Sequence, residues 1–138
     1  MGTLSRVGIA IDSELLGRFD RFITKQGYKN RSEAVRDLIR GRLVSSATAD
    51  FETSVVGTVT LIYDHHTRLL PEKLTELQHH HHHLIVSTMH AHFAKEICLE
   101  VLIVRGRSRE VQKFADLIIG TKGVQHGKLV MSIPGKLP

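Results

Sequence analysis

The first 44 residues set the tightest constraint on what this chain can fold into. Leu4-Ser-Arg-Val-Gly-Ile-Ala-Ile11 alternates with the two-residue period of a half-buried strand. Val7, Ile9 and Ile11 share one face, and Arg6, Gly8 and Ala10 share the other. The period then becomes helical. Asp12 or Ser13 starts a helix, and Glu14 sits in its first turn, where the helix dipole favours an acid. Leu15, Phe19, Phe22 and Ile23 recur at helical spacing until Gly27 ends the run. Asn30-Arg-Ser-Glu33 has capping-box spacing, with Asn in place of Ser or Thr. It opens a second helix with Val35, Leu38, Ile39 and Leu43 on one face. A lone strand cannot satisfy its own backbone groups, and about 44 residues lie near the lower limit for an independent core. Two chains that pair their strands into a ribbon, with four helices beneath, solve both problems.

Charge points the same way. Residues 1–44 carry nine Lys/Arg against five Asp/Glu, a net of +4; the rest carry ten against nine, a net of +1. A basic front third suits a nucleic-acid partner without establishing one. The strand-helix-helix order resembles the ribbon-helix-helix family of DNA-binding proteins, whose strands read the major groove. The resemblance implies that Arg6, Gly8 and Ala10 face the bases. It also implies that Asn30 and Arg31 hold phosphate through backbone N–H groups and the guanidinium. The residues alone leave open a plain oligomerisation module. Gly8 and Ala10 have no hydrogen-bonding side chain, so direct readout rests on Arg6, with Ala10 able to touch a thymine methyl.

Ser45-Ser-Ala-Thr-Ala-Asp50 is small and polar and reads as a linker. Beyond it the pattern predicts a strand over Val55–Tyr63 and a helix beginning at Leu70, with Pro71 in its first turn. Strands over Leu84–Phe93 and Cys98–Val104 come next. A helix over Arg109–Thr121, broken by Gly123, and a strand over Val124–Ile133 complete the chain. The order β-α-β-β-α-β is the ferredoxin-like split arrangement, also that of ACT-type ligand sensors; topology alone implies no function. The expected class is α+β, with a ribbon-helix-helix domain over residues 1–46 and a ferredoxin-like, ACT-type domain over residues 53–138. One cysteine cannot form an intrachain disulfide, and a cytoplasmic protein is expected. No apolar run reaches the length of a membrane span, and no signal peptide is visible.

The second informative stretch runs from His79 to Cys98. Five consecutive histidines, His79 to His83, lead to His90-Ala-His92 and then to Cys98, the single thiol. Residues i and i+2 of a strand share a face, so His90 and His92 can reach one ion, and a short turn returns Cys98 beside them. Glu100, on the face of Cys98, can accept a hydrogen bond from a liganding imidazole. Such donors suit nickel, copper or zinc, and spacing does not choose the geometry. Read alone, the stretch leaves other meanings open. A His-x-His on a strand is often incidental, a buried Cys is often core, and a histidine run binds divalent ions loosely.

Taken whole, the chain resembles the NikR family of nickel-responsive ribbon-helix-helix regulators. The resemblance is carried by Gly27-Tyr-Lys-Asn-Arg-Ser-Glu-Ala-Val-Arg-Asp37, Gln78-His-His-His-His82, Thr88-Met-His-Ala-His92, Cys98-Leu-Glu100 and Lys122-Gly-Val-Gln-His-Gly-Lys-Leu129. It implies a homotetramer, a dimer of dimers, with one Ni(II) per subunit in a planar site. The ligands would be His90, His92 and Cys98 of one subunit and His79 of another. It implies nickel-favoured binding to a palindromic operator and repression of nickel uptake genes. Glu33 and Asp37 would hold a second cation such as potassium, although Glu33 reads equally well as a first-turn acid. Three departures stand out: the additional His83, Thr67 before Arg68 where relatives often have two basic residues, and the bare Gly8 and Ala10. The alternative function is an ACT-type sensor of a small ligand or of copper, cobalt or zinc. An enzyme using Cys98 as nucleophile and His90 or His92 as base is not expected, because no third orienting group stands at a recognisable spacing and no substrate cleft is evident.

Overall fold

The computed structural model describes residues 2–92 and 94–135; Phe93, the expected end of a strand, lies outside them. The chain forms two compact units, one up to Gly41 and one from Arg42 onward.

In the first unit, residues 2–12 form no regular element. Val7 is 86% and Ile9 68% exposed. The expected strand is therefore not formed in the single chain, for the reason its sequence suggests: a strand without a neighbour has only water for its backbone. Helix α1, Ser13–Lys25, starts where Asp12 accepts a hydrogen bond from Leu15 N at 2.9 Å. It stops before Gly27, whose φ of 83° suits glycine. Asn30 Oδ1 accepts from Glu33 N at 2.9 Å and opens helix α2, Arg31–Thr48. Ile23 and Ala34 are buried, while Leu15, Phe22, Leu38 and Ile39 stay more than half exposed. The expected linker is corrected in part. Residues 45–48 continue α2, because Ser, Ala and Thr tolerate helix and neither Gly nor Pro interrupts them.

The second unit contains β1 (Ser54–Asp64), α3 (Leu70–His80), a 3-10 turn (His82–Leu84), β2 (Ile85–His92), β3 (Ile97–Arg107), α4 (Ser108–Ile119) and β4 (Val124–Ser132). Its four strands form one antiparallel sheet in the order β2-β3-β1-β4. Alternate residues of the two central strands are buried: Val59, Leu61 and Tyr63 from β1, and Cys98, Glu100, Leu102 and Val104 from β3. Leu70 and Leu74 of α3 join that core, as do Val111, Phe114, Ala115 and Ile118 of α4. Each such aliphatic side chain contributes roughly 2 kcal/mol by leaving water. The opposite side of the sheet exposes Val56, Met89, Ile103 and Val130. Helix α4 ends at Ile119 with Gly120 as its cap, two residues short of the expected Thr121. Helix α3 starts after Leu69, the one described non-glycine residue with positive φ (62°).

Candidate metal centre

Strand register brings the candidate donors onto one face. His92 pairs with Cys98, which pairs with Tyr63 on the other side. His90 pairs with Glu100, which pairs with Leu61. Residues opposite each other in antiparallel strands point the same way, so His90, His92, Cys98 and Glu100 lie on the buried side of the sheet. β2 is an edge strand, and all its residues after Ile85 are exposed. The donors therefore range from a buried thiol to a half-open rim: Cys98 is 1% exposed, whereas the His90 side chain is 51% exposed.

Glu100 is the hub. Its carboxylate accepts from Tyr63 Oη at 2.9 Å, Gln78 Nε2 at 2.8 Å and Thr88 Oγ1 at 3.3 Å, and lies 3.2 Å from His90 Nε2. His90 Nε2 also stands 3.2 Å from Tyr63 Oη. Tyr63 gives its one proton to Glu100, so its oxygen accepts from His90. Both neighbours of Nε2 then act as acceptors, and Nε2 carries the proton. In the neutral ring this leaves the lone pair on Nδ1. A buried carboxylate fixes the tautomer of a potential ligand in the way that ligating histidines are commonly oriented. Burial, with Cys98 and Glu100 beside it, pushes the Tyr63 phenol well above the ordinary range for tyrosine.

The ring of His92 packs on that of His65, with centroids 4.7 Å apart. His65 Nδ1 is buried without a hydrogen-bond partner. His79 lies exposed on α3 and is not brought to the other three within the chain. Among the described residues, no three His, Cys, Asp or Glu side chains are gathered closely enough to hold an ion. The donor set nevertheless fits a borderline transition metal: two imidazoles and a thiol on one face of adjoining strands, at an open sheet edge. Of the remaining histidines, His81 is structural, stacking on Phe114 at 5.0 Å and bonding to the Leu77 carbonyl.

Sequence reasoning missed Tyr63, His65, Gln78 and Thr88 as parts of this network. Gln78 and Thr88 lie inside conspicuous motifs, but Tyr63 and His65 give no signal before strand register is known.

In the first unit, Arg31 forms a two-pronged ion pair with Asp20, at 2.8 and 2.9 Å, and holds that carboxyl below its usual range. The side chain of Asn30 is occupied as the cap of α2. Arg6, Gly8 and Ala10 lie in the exposed segment. Asp37 accepts from Tyr28 Oη at 2.9 Å and Arg40 at 3.1 Å. It shares a small surface hollow with Glu33, Arg36 and Arg40, so two guanidiniums already flank the acidic pair.

An exposed segment with two helices, in one chain with a ferredoxin-like domain that carries two histidines and a thiol on one sheet face, has the plan of a metal-responsive regulator. The description "NikR C terminal nickel binding domain" fits residues 56–132, and "Ribbon-helix-helix protein, copG family" fits residues 5–44. A "Putative nickel-responsive regulator" of Solibacter usitatus is 58% identical over 135 residues, 98% of this chain and 97% of the relative. The protein so named in Geobacter metallireducens is 58% identical over 136 residues, covering 99% and 98%. The one in Caldanaerobacter subterraneus subsp. tengcongensis is 47% identical over 131 residues, covering 95% and 85%. The chain belongs to the NikR family of nickel-responsive regulators. The family comprises regulators rather than enzymes.

Proposed function

We propose that this protein is a cytoplasmic, nickel-responsive transcription regulator that binds a palindromic operator when loaded with Ni(II) and represses nickel uptake genes. The observation that carries this reading is the placement of His90, His92 and Cys98 on one face at an open sheet edge, in a chain of this family. One ion per subunit would be held by these three residues and His79 of another subunit in a tetramer. When bound, nickel supplies a link between donors of two chains. The protein's part is to hold the donors ready. Glu100 and Tyr63 fix the His90 ring, and Gln78 ties the end of α3, next to His79, to the same carboxylate. Cys98 would supply the sulfur donor. The ribbon residues Arg6, Gly8 and Ala10 would face base edges, and Asn30 and Arg31 the phosphates. Glu33 and Asp37 would take potassium when DNA is bound.

If the ordered tetramer also favours the DNA-competent arrangement, each ligand tightens the other reciprocally, typically by ~1–3 kcal/mol. An anaerobic Ni(II) titration, followed by ultraviolet absorbance, tests the site. A thiolate-to-nickel band should saturate at one ion per chain in the native protein and vanish in Cys98→Ser. Equal binding in both proteins without that band would reduce the cluster to a loose histidine sponge. His79→Ala should weaken nickel binding and nickel-dependent DNA binding together; loss of only one breaks the proposed coupling.

A further inference from the structure

We propose that Asp20 sets the DNA affinity of this protein by competing with phosphate for Arg31. The two side chains meet in a fork: Arg31 Nε and Nη2 donate to the two oxygens of Asp20 at 2.9 and 2.8 Å. A guanidinium meets a phosphate through the same two parallel hydrogen bonds. Asp20 therefore occupies Arg31 in the way that a DNA phosphate would. The hydrogen bond from Arg31 is also what chiefly holds this carboxyl below its usual range, so it is ionised at neutral pH.

The pair is not what starts either helix, since Asp12 caps α1 and Asn30 caps α2. Its side chains are 59% and 40% exposed, and an ion pair so placed contributes little to stability. Both partners lie on one chain, on α1 and at the start of α2, so the pair needs no second copy to form. On the DNA-binding reading above, on which this inference rests, a phosphate at the start of α2 has to take the fork from Asp20. The exchange leaves an unpaired carboxylate beside the duplex, and like charges repel. Phosphate contacts carry no sequence information, so the cost falls on every duplex alike. Sequence-independent attachment, which rests on those contacts, is thereby kept weak.

Fluorescence anisotropy of the full, metal-free chain with a random-sequence duplex, at one low salt concentration, tests this. Asp20→Asn should tighten binding by about two- to fivefold for each subunit on the DNA, the range set by the worth of an exposed ion pair. Glu14→Gln removes an acid of α1 that makes no ion pair among the described residues, and it should gain less. In an Arg31→Ala background the excess of Asp20→Asn over Glu14→Gln should vanish, because the competitor then has nothing to withhold. Weaker binding by Asp20→Asn would mean that Asp20 positions Arg31 for phosphate, and the competition is wrong. Equal gains from the two acids, or an excess that survives without Arg31, would leave only net charge at work and overturn the proposal. A native chain that binds no duplex overturns the regulatory reading together with this one. Native binding without the Asp20 gain overturns the competition alone.

Discussion

Two residues have a role that their neighbours in sequence do not reveal. Glu100 is a buried carboxylate surrounded by donors from three elements besides its own. Replacing it with alanine strands the buried Tyr63 hydroxyl and frees the half-buried Gln78 amide. Glu100→Ala should therefore lose about 2–4 kcal/mol in a urea unfolding curve and loosen nickel binding. Arg31 is the second. Its pair with Asp20 is exposed on both sides, so it is easily exchanged for a phosphate. Arg31→Ala should make the salt dependence of DNA binding shallower by about one counterion, measured as the slope of log affinity against log salt. The same pair has an acid signature. The folded carboxyl of Asp20 is depressed, so its small contribution to stability is present above the ordinary carboxylate range. It is lost as pH falls through the depressed value, and Asp20→Asn should remove that part of the acid transition.

At the scale of elements, α3 carries a local conflict. Leu69 precedes it in the left-handed region and is 64% exposed, so its side chain gains little from the strain it bears. Asn adopts this conformation more readily. Leu69→Asn should raise unfolding stability by about 0.5–1 kcal/mol, read by urea denaturation. α3 and α4 were legible because Leu70 and Leu74, and Val111, Phe114 and Ile118, follow helical spacing into the core. The end of α2 was not: Ser45 to Thr48 has a loop-like composition, and the Thr48 carbonyl at its end accepts from Ser108 Oγ, far along the chain.

At the scale of the molecule, one chain leaves two apolar surfaces in water: the helix face with Leu15, Phe22, Leu38 and Ile39, and the sheet face with Val56, Met89, Ile103 and Val130. Surfaces of this kind are usually covered by another chain. If further copies cover them, stability depends on mass action, and the thermal midpoint should rise with protein concentration. A midpoint independent of concentration over a hundredfold range, about 2.7 kcal/mol by linkage, would show that the single chain is the stable species.

The amino-acid sequence by itself determined the periodicities, and with them the two helices of the first unit, the order of helices and strands in the second, the α+β class and the candidate donors His90, His92 and Cys98. Those features are local: they depend on which side chains recur every two or every 3.6 residues. Tertiary structure decided what depends on register and on distant partners. It put Tyr63 beside Cys98 and Glu100, turned the His90 ring toward that carboxylate and stacked His65 on His92. It also occupied Arg31 with Asp20 and continued α2 into the expected linker as far as Thr48. Hydrogen bonds and ring contacts between residues dozens of positions apart have no periodic trace in the chain, because folding alone brings their partners together.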